Sequence, residues 1–204
     1  MDNYKYEKEL YKKGIKYIAG VDEVGRGPLI GAVVAAAVIL PNDFYLEGLT
    51  DSKKLSEKKR EAFYKVIMDK ALAVGIGIVS EKRIDEINIY EATKEAMIMA
   101  INNLSIKPEH VLIDAMKLDI DIDTTSIIKG DLLSVSISAA SVVAKVTRDH
   151  MLIEMDREYP VYDLKNNKGY GTKKHIEAIK KYGICKYHRR SYKPVSDYAD
   201  KIYE

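Results

Sequence analysis

The chain is short of cysteine: Cys185 stands alone, which rules out an intramolecular disulfide and any cysteine-based metal site. A passive thiol in a reducing compartment is the expectation. Long apolar runs are also missing. The longest, Leu29 to Leu40, is too short and too rich in alanine and valine for a membrane span and reads as a buried strand. Met1 to Lys13 is charged and lacks the apolar stretch of an export signal, so a cytoplasmic protein without a membrane partner is expected. Nor is there an excess of one charge. With 33 Lys and Arg against 31 Asp and Glu, the net charge of +2 does not by itself indicate a nucleic-acid partner. The distribution is uneven, however. Lys165 to Lys193 holds ten basic residues and one acid, Glu177. No repeat, low-complexity tract or linker divides the chain. Its 204 residues, 47% apolar, are enough for one domain over 1–204, with about 160–204 as a basic extension.

Periodicity predicts the elements. Tyr17 to Val24 and Leu29 to Leu40 read as antiparallel strands joined by a tight turn at Gly25-Arg26-Gly27-Pro28. Ser56 caps a helix running to about Asp69, with Ala62, Phe63, Val66 and Ile67 as its apolar face. A strand over Ala71 to Val79 follows. Next comes a helix carrying Ile89, Ala92, Ala96, Met99 and Ala100, which ends near Asn102-Asn103. Val111 to Ile113 is a short buried strand ending at Asp114, and Ser126 to Lys129 a weaker one. Leu132 to about Glu158 reads as one long helix, with Ala139, Ala140, Val143 and Ala144 small enough for close packing on a sheet. This order predicts an α/β protein with a mixed sheet flanked by helices.

Asp22 and Glu23 lie in an otherwise apolar strand, where burying a charge is costly unless it is paired or bound to metal. Alternating strand side chains face opposite ways, so both acids serve one site only if the strand ends or bulges at Glu23. An exposed edge with ordinary surface acids remains the plain alternative. Gly25-Arg26-Gly27 fits neither the Walker nor the dinucleotide glycine pattern. It is either a hairpin turn or a loop whose amides approach a ligand closely beside a guanidinium. Asp114 and Asp131 each sit where a turn or N-cap residue would, yet with Asp22 they form the oxygen-only set that suits Mg²⁺ or Mn²⁺. No histidine pair at metal spacing competes. Ser141, Lys145 and Arg148 share one helix face, as a solvated basic stripe or a backbone-contact surface; Lys53 and Lys54 are similarly open. Tyr170 between Gly169 and Gly171, and Tyr192 beside His188-Arg189-Arg190-Ser191, mix aromatics with cations as nucleic-acid surfaces do.

Together these blocks resemble one family. Asp22-Glu23-Val24-Gly25-Arg26-Gly27-Pro28 is similar to the signature of ribonuclease HII. Asp51-Ser52-Lys53-Lys54-Leu55, Ile113-Asp114-Ala115, Lys129-Gly130-Asp131, Ala139 to Val146, Gly169-Tyr170-Gly171-Thr172 and His188-Arg189-Arg190-Ser191 follow in the family's order. The resemblance spans about Ile18 to Tyr192. Ile30-Gly31-Ala32 departs from the Ala-Gly-Pro common there.

The resemblance implies a ribonuclease H-like fold with a C-terminal helical extension and a catalytic, metal-binding set of Asp22, Glu23, Asp114 and Asp131. It implies that Gly25, Arg26 and Gly27 read a ribonucleotide 2′-hydroxyl while Tyr170 stacks on the next deoxyribose. Lys53, Lys54, Ser141, Lys145 and Arg148 complete the expected substrate surface. Two divalent ions about 4 Å apart, with Asp22 bridging, would drive in-line hydrolysis. The expected substrates are RNA/DNA hybrids and DNA duplexes containing ribonucleotides, cut to leave 3′-hydroxyl and 5′-phosphate ends. A monomer is expected, and the short segment before the first strand points to type HII over type HIII. A non-catalytic hybrid-binding module and a resolvase-like DNA nuclease are the rival readings.

Overall fold

The computed structural model describes residues 3–203. A five-stranded sheet runs in the order β3-β2-β1-β4-β5. Strands β1 (Ile18–Val24), β2 (Val33–Ile39) and β3 (Ala73–Val79) form an antiparallel meander, whereas β4 (His110–Asp114) and β5 (Asp123–Ile127) add in parallel beyond β1. Every residue of β2 is buried, as a central strand covered on both faces requires.

The helices are α1 (Lys5–Lys12), α2 (Glu57–Lys70), α3 (Glu81–Ile87), α4 (Ile89–Asn102), α5 (Gly130–Leu133), α6 (Val135–Glu158), α7 (Leu164–Asn167) and α8 (Lys173–Tyr182). One sheet face, carrying Ala19, Val21, Ala35, Ala37 and Ile113, packs on Ala92, Ala96, Met97 and Ala100 of α4. The other, carrying Ala36 and Val38, packs on α2 and on Ala139, Ala140, Val143 and Ala144 of α6. Among the described residues no helix is long and apolar enough to cross a membrane.

Close approach of α6 to the sheet depends on Gly20, where a Cβ would lie 2.1 Å from the Ser136 carbonyl carbon. Gly20→Ala is therefore expected to destabilise the fold by about 1–3 kcal/mol through overpacking, read from denaturant unfolding midpoints.

Several predicted boundaries move. Only Val33 to Ile39 of the Leu29 to Leu40 run is strand; Leu29 and Ile30 instead pack with Tyr162, Leu164 and Ile179. The helix capped by Ser56 forms as expected, but its buried face is Arg60, Phe63 and Ile67, and Val66 is partly exposed. The single helix predicted from Leu132 is broken at Ser134, whose backbone is extended and whose Oγ accepts from the Ile137 amide, so that it caps α6. The break has a partner. Buried Glu7 of α1 accepts from Ser134 Oγ at 2.5 Å and from the Ser136 amide at 3.0 Å, docking α1 on the start of α6. Helix α3 was not predicted from periodicity, although Ser80 caps it.

Candidate active site

Parallel pairing of β1 with β4 puts Val21 opposite Ile113, so Asp22 and Asp114 come next on neighbouring strands, on the α6 face. Asp131 lies in the first turn of α5, after Lys129 in a left-handed conformation, and so is not the helix N-cap that was the plain alternative to a ligand role. Asp114 Oδ1 accepts from the Gly130 amide at 2.7 Å and so ties β4 to α5. Ligand oxygens of Asp22, Asp114 and Asp131 all fall within 4.8 Å of one another. Three hard carboxylates this close, with raised pKa values, repel one another unless a cation joins them, and their donor set fits Mg²⁺ or Mn²⁺.

The electrostatics agree with the geometry. Burial, then the charges of Glu23 and Asp114, pushes the Asp22 carboxyl well above the usual range, while hydrogen bonding from Ser141 opposes this. Burial raises Asp114 and also Asp131, the latter further pushed by Asp114 and Asp51. For Lys53, burial disfavours the ammonium, but Asp22, Asp51, Asp131 and Glu23 outweigh it and the shift is upward. Lys53 is the cation facing this cluster.

Glu23 departs from the expected set. The strand continues through Val24 without a bulge, and Glu23 alternates to the α4 face. Its carboxylate sits 3.7 Å from Arg26, outside the three-carboxylate group, and its amide donates to Asp22 Oδ1 at 2.7 Å. Asp51 is a site residue that the sequence reading does not single out. It accepts from the Lys53 amide at 2.9 Å and stands within hydrogen-bonding reach of Asp131. Its position directly before Ser52-Lys53-Lys54 was the available signal.

The expected basic stripe on α6 is not a solvated surface. Ser141 is buried and pairs with Ser52 Oγ at 2.9 Å. Lys145 donates to Asp149 at 2.7 Å; Asp149 faces Arg60, which donates to the Ser52 and Leu55 carbonyls. That network braces the Asp51 to Leu55 segment against α6. Arg148 is 2% exposed, too buried to meet a duplex backbone. It donates to the carbonyls of Ala32 at 3.0 Å, Lys168 at 3.1 Å and Ile30 at 3.0 Å. Burial first, and then Arg189, lowers its pKa to about 10. Lys54 remains exposed.

The Gly25 to Gly27 loop is clamped from beneath. Gly25 has φ +96°, and a Cβ there would lie 2.3 Å from Arg148 Nε. Arg189, fully buried, donates to the carbonyls of Gly25 at 2.5 Å, Arg26 at 2.9 Å and Gly31 at 2.7 Å. Tyr192 Oη donates to the Arg26 carbonyl at 2.8 Å. From the predicted basic cluster His188 to Ser191, Arg189 therefore supplies a clamp, while Arg190 stays exposed. Tyr170, 47% exposed, lies against Gly27, where a Cβ would be 3.4 Å from its ring.

Known proteins resemble this chain in sequence and in fold. The family model described as Ribonuclease HII matches residues 19–195. A Ribonuclease HII of Bacillus mycoides (strain KBAB4) is 61% identical over 197 residues, covering 97% of this chain and 77% of the relative. The crystal structure of ribonuclease H2 from Pyrococcus horikoshii superposes with a TM-score of 0.77 at 27% identity, covering 90% of this chain and 97% of that one. Bst-RNase HIII in complex with Mn²⁺ shares the fold, with a TM-score of 0.66 at 15% identity over 91% of this chain and 70% of that one. Mixed sheet, flanking helices and carboxylate cluster thus occur in a chain that belongs to the ribonuclease HII family, the metal-dependent ribonuclease H endonucleases acting on nucleic acid.

Proposed function

We propose that this chain hydrolyses the RNA strand of RNA/DNA hybrids and incises duplex DNA on the 5′ side of single embedded ribonucleotides, leaving 3′-hydroxyl and 5′-phosphate ends. The observation that carries this reading is one shared surface. The Asp22, Asp114 and Asp131 cluster stands at the end of β1, and the Gly25 to Gly27 loop, faced by the Tyr170 ring, follows it directly.

Asp22, Asp114 and Asp131 would hold Mg²⁺ or Mn²⁺, with Asp22, the most buried, as the shared ligand. Two such ions supply charge stabilisation and an activated water for phosphodiester hydrolysis. Glu23 acts from the edge of the site, its amide fixing Asp22 and its carboxylate orienting Arg26. Lys53 and Lys54 meet phosphates and so position the duplex without reading its sequence. Ser141, Lys145 and Arg148 contribute by holding these segments in place.

Telling RNA from DNA requires contact with the 2′-hydroxyl. Because Arg189 and Tyr192 engage the Gly25 and Arg26 carbonyls, the loop amides take that contact. Tyr170 packs on the following sugar, where a 2′-hydroxyl is disfavoured. The chain acts as one cytoplasmic domain over 1–204, as a monomer, with about 160–204 as the extension that carries Tyr170.

Digestion of matched DNA, hybrid and single-ribonucleotide duplexes tests this. Cleavage of the last two, with one cut 5′ of the lone ribonucleotide, is the expected result. An intact single-ribonucleotide duplex beside a degraded hybrid refutes the sugar-reading surface; binding of all three without cutting fits a binding module, and cutting of plain DNA fits a resolvase-like nuclease. Tyr170→Ala is expected to lower single-ribonucleotide cleavage about tenfold or more, the loss of one stacking contact, at an unchanged melting temperature. A large drop in melting temperature would assign Tyr170 to packing.

A further inference from the structure

His175 and His188 lie in the C-terminal segment at 0% and 2% exposure, buried side by side. Their neighbours fix where their protons sit. The Tyr170 carbonyl only accepts, so His175 Nδ1, 2.9 Å away, carries a proton. The Cys185 backbone N–H only donates, so His188 Nδ1, 3.0 Å away, carries none, and neutral His188 is protonated on Nε2. The two Nε2 atoms stand 3.2 Å apart, with His188 donating and His175 accepting. One chain of hydrogen bonds thus runs from the Cys185 amide to the Tyr170 carbonyl through two neutral imidazoles, with every donor matched to an acceptor.

Burial keeps both rings neutral. It lowers the His175 pKa, and together with neighbouring His175 it takes His188 down to about 3. The Tyr162 ring packs on both imidazoles, with centroids 4.7 Å from His188 and 5.8 Å from His175, and its own hydroxyl donates to the Gly183 carbonyl at 2.8 Å. The rings are therefore held in place as well as paired.

Each end of this chain reaches a different part of the proposed sugar-reading surface. His175 ends on Tyr170, whose ring lies against Gly27. His188 bridges Ile30 and precedes Arg189, the residue that clamps the Gly25 and Arg26 carbonyls. The Thr172 amide also donates to the Tyr170 carbonyl, at 2.8 Å. Losing the imidazole would therefore leave that carbonyl bonded while releasing the orientation of its peptide. We propose that the His175–His188 pair is a positioning relay that sets Tyr170 against the Gly25 to Gly27 loop and so determines selectivity for the ribonucleotide-to-deoxyribonucleotide junction. The inference rests on the reading of Tyr170 as the sugar-stacking residue.

Two measurements test it. In wild-type protein, nitrogen-15 NMR should find the His175 proton on Nδ1 and the His188 proton on Nε2. A His175 proton on Nε2 overturns the relay whatever any variant does. Kinetically, the readout is the ratio of kcat/KM on a single-ribonucleotide duplex to kcat/KM on a long hybrid. His175→Phe keeps a ring but no donor, and should lower that ratio about tenfold, the effect of one well-placed hydrogen bond. His175→Asn places an amide N–H near the Nδ1 position and should keep the ratio within about threefold of wild type. Equal losses on both substrates in both variants would mark a purely structural pair and overturn the proposal. Tyr170→Ala separates the two ideas. If it changes the ratio and folded His175→Phe does not, the relay is wrong; if it leaves the ratio unchanged, the sugar-stacking reading fails and the relay's role with it.

Discussion

Asp22→Asn and Asp114→Asn are each expected to cut hybrid cleavage about a thousandfold or more, because each removes a charge from the carboxylate cluster that would hold a divalent ion, and such an ion contributes several kcal/mol to transition-state stabilisation. Neither substitution changes volume, so substrate binding and the fold should survive. A second, opposite-looking effect should accompany the Asp22→Asn loss. In the metal-free protein the Asp22 carboxyl is raised by burial and by Glu23 and Asp114. A raised folded-state value means that this group favours the fold below the ordinary carboxylate pKa of about 4, and that the benefit is lost as pH rises through the folded-state value. At neutral pH the buried charge is thus a liability without metal, and Asp22→Asn should raise the metal-free melting temperature while abolishing turnover. Near wild-type turnover at saturating Mn²⁺, or a lowered metal-free melting temperature, would count against the cluster. Glu23→Gln should be milder, since its carboxylate lies outside the three-carboxylate group.

Arg148→Met is the second large effect, and it concerns stability. Arg148 donates to two buried carbonyls, of Ala32 and Ile30, and to the part-buried Lys168 carbonyl, joining the start of β2 to the segment before Tyr170. Removing it leaves Ala32, Ile30 and Lys168 without that partner. Orphaned buried carbonyls cost about 1–3 kcal/mol each, partly offset by release of a buried charge, so a net loss of about 3 kcal/mol is expected. For a chain of this size that lowers the melting temperature by about 6–12 °C. The salt dependence of duplex binding should stay as in wild type, because no phosphate contact is lost. An unchanged melting temperature with a flattened salt dependence would instead place Arg148 on the substrate.

Much of this was legible in the chain, for physical reasons. An acid at the end of an apolar strand is conspicuous, and so Asp22 and Asp114 stood out; the parallel β1–β4 register that joins them is non-local and left no local mark. The small residues Ala139, Ala140, Val143 and Ala144 of α6 predicted close packing on the sheet, and they do pack against Ala36 and Val38. Helical spacing placed Ser141, Lys145 and Arg148 on one side, but spacing does not say whether that side faces water. Here it faces Ser52, Asp149 and the loop carbonyls. Alternation along β1 argued that Asp22 and Glu23 part unless the strand bulges, and no bulge occurs. The His175–His188 pairing could not be read at all, since the two side chains lie thirteen positions apart and meet only after the C-terminal segment folds.

If Asp22, Asp114 and Asp131 bind the divalent ion on which cleavage depends, titrating Mn²⁺ into chelator-stripped protein should show it, with bound ion and hybrid cleavage followed in the same samples. Cleavage absent in chelator and restored in proportion to ion bound, with both lost in Asp22→Asn and Asp114→Asn, is the predicted result. Cleavage that persists in excess chelator, or ion binding that those substitutions leave unchanged, would contradict it.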